Sequence, residues 1–314
     1  MTERDVSSSW RFFNLNWLPV MVMGGLLLLA TCESDFSIGP LGFGVTSATA
    51  VVLALLAYLM NGRAAQRLAF MFGALGQVVL LTAIAGPLSY VACAFNWPLQ
   101  DATLAAFDHA MGFDAKPAIL FINDNEVLAG LLNIGYAMIK WPLLAIPIVL
   151  AATSRFLRLQ QFIAALSIAL MMTIALSMAE PAIGVYQTLG LASGDVPHVN
   201  ILAFTLAQQD ILAVRDGSMR HLDLFSLAGI VTFPSFHAAS AVLYAWAFAP
   251  VRVFGPTAMV LNILMIASTP VIGGHYLIDV FAGIAVAIAA IAAAHWLFAR
   301  PSTAANPAFA VPAE

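Results

Sequence analysis

The chain has 314 residues, of which 62% are hydrophobic and only 9% charged, against roughly a quarter charged in soluble domains; this is the composition of a protein that lives in a bilayer. A formal net charge of -4 with no basic cluster excludes nucleic acid as a partner, and two cysteines exclude a disulfide framework or a cysteine-rich metal site. Cys32 and Cys93 fall near the same ends of predicted spans, where they read as small core residues or, in an oxidising compartment, as a disulfide.

Eight apolar runs predict membrane spans, at about 17–32, 44–60, 68–92, 127–151, 159–180, 235–251, 256–272 and 275–298, lengths suited to roughly 30 Å of hydrocarbon. With no water in the bilayer core, helices that satisfy their own backbone are the expected structure, so the fold class is an all-α polytopic helical bundle. The stretch "LLLLATCES" at 26–34 resembles a lipoprotein cleavage site, but Thr31 stands where that pattern wants Gly or Ala, and the run is read as an uncleaved first span. Arg4 and Arg11 precede the first span, Arg63 and Arg67 follow the second, Arg155 and Arg158 the fourth, Arg252 the sixth and Arg300 the eighth. Acidic residues, among them Glu33, Asp101, Asp108 and Asp210, crowd the opposite loops. The positive-inside rule then puts both termini in the cytoplasm of a cell (inner) membrane and the acidic loops outside.

Two outer segments are long enough to hold structure. "DATLAAFDHAMGFD" at 101–114 sets Leu104, Phe107 and Met111 at helical spacing and predicts a short helix lying in the interface. The segment from about 183 to 233 predicts a helix near 199–214, and loops of that length between spans are often functional. The tail "PSTAANPAFAVPAE" from 301 is expected to be disordered.

"TFPSFHAAS" at 232–240 opens the sixth span, and "GGHYLID" at 273–279 opens the eighth. The span after Ser235 runs inward and the next returns over a similar length, so His237 and His275 are expected on one outer face. His275 and Asp279 are four apart, one helical turn on one face. A carboxylate there can hold one imidazole nitrogen and leave the other free to attack. Two histidines with an orienting carboxylate suit phosphoryl transfer: one attacks phosphorus and the other protonates the leaving oxygen. Ser235 and the free amides of its helix can meet phosphate oxygens. Arg215 and Arg220 in "VRDGSMRHLD" are two of three basic residues on the outer loops, the third being Lys116, and are the candidates for clamping phosphate.

"PSFH" followed 38 residues after its histidine by "GGHYLID" resembles the second and third signature motifs of the type 2 phosphatidic acid phosphatase superfamily, which includes lipid phosphate phosphatases and vanadium haloperoxidases. The forms "PSFHA" and "HYLIDV" are closer to its inositol phosphorylceramide synthase and sphingomyelin synthase branch. The resemblance implies a six-helix core and a catalytic membrane domain over 67–299, after an N-terminal segment of two spans (1–66) and before the tail (300–314). It implies that His275 becomes phosphorylated, that Asp279 is its partner and that His237 is the general acid and base, with no cofactor or metal. The implied partners are a membrane phospholipid or lipid phosphate and a hydroxyl acceptor or water. Three departures stand out: the first motif is absent, "AEPAIGVY" at 179–186 standing near its place; Thr269 replaces the usual Arg of the third motif; and Phe236 replaces Gly in the second. The lost cations favour a head-group transferase over a simple phosphatase.

Other readings compete. A lone His237 reads as an interfacial residue, and two histidines with a carboxylate can also hold iron or zinc. A transporter would gather charges at mid-depth, where only Lys140 in "YAMIKWP" falls. Lys140 needs a partner, for which Glu180 and a substrate phosphate are the candidates. His295 reads as structural, and His221, beside Arg220, as a candidate substrate contact.

Overall fold

The computed structural model describes residues 3–63, 65–227 and 229–299. The side chain of Arg4, Arg300 and the tail expected to be disordered lie outside the described residues. The chain begins with α1 (Glu3–Leu15), α2 (Trp17–Glu33), a short strand β1 (Ser37–Ile38), α3 (Pro40–Gly62) and α4 (Gln66–Cys93). A group of shorter helices follows: α5 (Asp101–Ala110), α6 (Ala115–Asn123) and α7 (Glu126–Ala137), the last joined by a 3-10 turn (Met138–Lys140) to α8 (Trp141–Ala152). Next come α9 (Phe156–Ala179), α10 (Val185–Leu189), α11 (Leu202–Asp216) and β2 (His221–Leu222). The chain closes with α12 (Phe236–Phe248), α13 (Gly255–Ile272) and α14 (Leu277–Leu297).

The protein is an all-α polytopic membrane bundle. Among the described residues seven helical segments are long and apolar enough to cross a bilayer, and they match seven of the eight predicted runs. The remaining run, 235–251, is a helix of 13 residues, about 20 Å long at 1.5 Å per residue and too short to cross the hydrocarbon alone. Its start is set by Ser235, whose Oγ accepts the Ala238 N–H at 3.4 Å, and by Pro234, which precedes that cap. The fourth run is broken where the sequence reads as continuous. Pro142 has no N–H to give the Met138 carbonyl, and the chain tightens there into the 3-10 turn.

The ends flanked by arginine gather at one end of the bundle. Arg67 Nε donates to Ser154 Oγ at 2.9 Å, Asn16 Nδ2 donates to the Gln160 carbonyl at 3.0 Å, and the Phe12 ring lies on Phe298. Buried small and aliphatic residues of α4, α9, α12 and α14 form the central core, including Leu81, Leu166, Leu243 and Ala287. At the opposite end a second cluster, with Leu104, Val185, Phe204 and Tyr276, joins α5, α10 and α11 into a cap over the starts of α12 and α14. The predicted interfacial helix is α5, with Leu104 buried and Phe107 and Met111 exposed. Phe107 and Met111 therefore face outward. Cys32 and Cys93 are free thiols, and Cys32 is exposed.

Candidate active site

The site is built where the starts of α12 and α14 cross. The Ser235 N–H donates to the Asp279 carbonyl at 3.0 Å, and the approach is so close that a Cβ on Gly283 would lie 2.2 Å from the Ser235 oxygen. Only glycine fits there. The crossing brings the His237 and His275 rings to a centroid separation of 6.5 Å, so the two motifs converge.

His275 and Asp279 are both buried. Asp279 Oδ2 lies 3.3 Å from His275 Nδ1 and accepts the Tyr276 N–H at 2.9 Å. An ionised carboxylate has no proton to give, so Nδ1 carries it and Nε2 keeps its lone pair. Asp279 Oδ1 is buried without a protein partner. His237 stacks face to face on Tyr136 of α7, centroids 3.9 Å apart and planes 11° apart. That contact fixes the imidazole ring.

Two aspartates of α5 hold the loop that carries His275. Asp108 accepts the N–H groups of Leu277 at 2.8 Å and Ile278 at 3.0 Å, two of the orphan donors of the α14 N-terminus. Burial pushes its carboxyl above the usual carboxylate range, against the pull of these amides. Asp101 accepts the Ile183 N–H at 3.1 Å, the Gly184 N–H at 2.8 Å and the Tyr276 hydroxyl at 3.0 Å. Burial pushes the Tyr276 phenol up, so it stays protonated and donates. The segment "AEPAIGVY" thus lies beside the loop that carries His275, and the Val185 N–H closes on the Gly274 carbonyl at 2.8 Å. Gly274 has φ +66°, and a Cβ there would meet Phe204 and Tyr186 at 2.7 and 2.8 Å.

Asp101, Asp108 and Tyr136 carry no motif, and sequence reasoning used the two aspartates only as markers of topology. Their separation of seven residues, two helical turns on one face, was the available signal.

The expected phosphate ligands divide. Ser235 is buried at the crossing, and among the described residues the N–H groups of Phe236 and His237 have no protein acceptor. Arg215 and Arg220 lie near Cys93 at the C-terminal end of α4 and touch neither His237 nor His275. Arg215 Nη2 donates to the Trp97 carbonyl at 2.9 Å, while its Nη1 is buried without a partner. Arg220 Nη1 donates to the Val214 and Met219 carbonyls, with the guanidinium over the Phe36 ring. Thr269 is buried and donates to the Met265 carbonyl at 2.8 Å, so no cation replaces the missing arginine at that position.

Three of the four remaining histidines have local partners. His221 Nδ1 lies 2.9 Å from Ser37 Oγ where β1 and β2 pair, His198 bonds the Asn123 carbonyl and Glu126, and His295 packs edge-on against Trp246.

Comparisons with curated proteins and with solved structures find no match. A family model described as PAP2 superfamily matches residues 102–293, from the first turn of α5 through His237, His275 and Asp279 and into the last turns of α14. On that match, which takes in more than half of the sequence and both histidine motifs, the chain belongs to the PAP2 superfamily.

Proposed function

We propose that this protein is an integral-membrane transferase of lipid phosphate head groups that works through a phosphohistidine on His275 at the extracytoplasmic face. The family supports phosphatase or phosphotransferase chemistry in general. The observation that carries the finer reading is the buried His275–Asp279 pair facing His237 across 6.5 Å, a gap that one phosphoryl group bridges.

In the first step His275 Nε2 attacks phosphorus and a P–N bond forms as the bond to the leaving oxygen breaks. His237, protonated and held by Tyr136, gives its proton to that oxygen. In the second step neutral His237 takes the proton of an incoming hydroxyl, whose oxygen attacks phosphorus and releases His275. Asp279 holds the Nδ1 proton throughout as a positioning residue. Ser235 and the amides that begin α12 receive the phosphoryl oxygens.

The lack of a cation at Thr269 favours transfer to an alcohol over simple hydrolysis, and membership of the PAP2 superfamily favours a lipid phosphate phosphatase as the second reading. Incubating purified protein with labelled phospholipids, with and without inositol, glycerol and ceramide, separates the two. A labelled phosphodiester product supports transfer, and inorganic phosphate alone selects the hydrolase. His275→Ala is expected to lower turnover on the order of 10⁴-fold and to abolish acid-labile labelling of the protein. Full turnover by that variant overturns the mechanism.

A further inference from the structure

Lys140 has no role in the site described above, yet its position is unusual. It closes the 3-10 turn between α7 and α8, halfway along the segment Glu126–Ala152, whose length and apolarity suit a membrane crossing. The side chain is exposed, and so is the adjacent Trp141 at 71%. Among the described residues no carboxylate pairs with Lys140; the expected partner Glu180 sits at the far end of α9, exposed and without an ion pair to it. An ammonium facing hydrocarbon is costly unless it meets an anion or reaches the interface.

Its depth gives the reason. The twelve residues of α8 separate Lys140 from the arginine-flanked end of the bundle, about 18 Å of helix. His237 is the second residue of the 13-residue α12, which reaches the same end in about 17 Å. The two elements run side by side: the Tyr136 ring stacks on His237, and the Tyr244 hydroxyl donates to the Ile139 carbonyl at 3.0 Å. Lys140 thus lies about one helical turn from the level of His237, towards the arginine-flanked end. Below it an apolar groove runs between α8 and α13, lined by Trp141, Pro142, Ala145, Phe254, Ala258 and Leu261.

We infer that Lys140 and this groove form a lipid-binding site, with the phosphate of an anionic phospholipid on the ammonium and one acyl chain in the groove, from which the lipid reaches His237 laterally through the membrane. The inference rests on the proposed reaction for its purpose, while the binding itself does not depend on turnover. A lipid docked here brings its phosphate down to the depth of the short α12, and the apolar groove takes the chain that must then extend towards the arginine-flanked end. The ammonium offers the charge that the phosphate needs on leaving water.

The test uses His275→Ala protein in phosphatidylcholine vesicles containing phosphatidic acid with a photoreactive acyl chain, and maps the labelled peptides. Labelling of the stretches around Trp141 and Leu261 is expected to saturate and to be displaced by unlabelled phosphatidic acid but not by phosphatidylcholine. Lys140→Gln is expected to weaken it about tenfold, and Lys140→Arg to retain it. In protein with His275 intact, Lys140→Gln is expected to raise the KM for lipid, expressed as mole fraction in the membrane, with kcat retained. Labelling that ignores the Lys140→Gln change, or that phosphatidylcholine displaces equally, overturns the inference. Turnover by His275→Ala overturns the reaction mechanism instead, so the two failures are distinct.

Discussion

Two helix N-termini meet at the centre of this protein, and they are finished in opposite ways. At α14 the exposed amides are already taken by carboxylates: Asp108 accepts from Leu277 and Ile278, and Asp279 accepts from Tyr276. At α12 the cap is a neutral hydroxyl, Ser235, and the N–H groups of Phe236 and His237 are left without a protein acceptor. Both termini carry the positive end of a helix dipole and attract anions. Filling one with protein carboxylates makes it a rigid mount for His275, while the other is left open to an anion, the place the proposed reaction gives to phosphate. The difference teaches that a helix start can serve either as scaffold or as receptor, depending on which anion supplies the negative charge.

The contrast predicts a graded set of responses. Asp279→Asn replaces an acceptor with an amide that can leave His275 in the wrong tautomer, and kcat is expected to fall about 10³- to 10⁴-fold while lipid binding is kept. Equal kcat in the variant removes Asp279 from its positioning role. Asp108→Asn exchanges one of two acceptor oxygens for a donor that faces a backbone N–H. A loss of about 10- to 100-fold in kcat is expected, since small misplacements of catalytic groups cost that much.

The same carboxylate has a pH signature. Protonation turns one Asp108 oxygen into a hydroxyl and weakens the clamp, and burial raises the pKa at which this happens. The acid limb of the kcat profile is therefore expected above the ordinary aspartate range, with activity rising as pH rises through it. In Asp108→Asn that limb disappears; a limb unchanged in the variant assigns it to another group. The smallest effect belongs to the open terminus. Ser235→Ala keeps the free amides but loses the cap, which is expected to cost about 1 kcal/mol of stability and about tenfold in kcat, measured by thermal unfolding and steady-state turnover.

Much of this site was legible in the sequence. The 17- to 25-residue apolar runs had to be helices because a bilayer leaves backbone groups no other partner. The spacing of His275 and Asp279 signalled a pair, but α14 begins only at Leu277, so His275 sits in the loop before the helix and the 3.3 Å contact depends on the turn at Gly274 and the extended Tyr276 rather than on a shared helix face. The shortness of α12 was not legible, because the apolar run continues past the point where the cap begins it and the chain breaks at Pro250. The break at Lys140 was signalled by Pro142, but its meaning was not, since hydropathy does not say which way a side chain points.

Asp101 and Asp108 were hidden for a different reason. Sequence reasoning counted them as outer acids, which says nothing of what they hold. Their partners are backbone amides 82 and 169 residues away, and any residue can supply an amide, so no motif marks the pairing. Arg215 and Arg220 teach the converse, that residue type alone does not seat a cation beside a phosphate. Both guanidiniums are spent in part on carbonyls of the cap. Helix identity and span order are local consequences of composition and period. The meeting of α12 with α14, the stacking of Tyr136 on His237 and the choice of which helix start to fill depend on contacts between segments far apart in the chain, which become definite when the bundle packs.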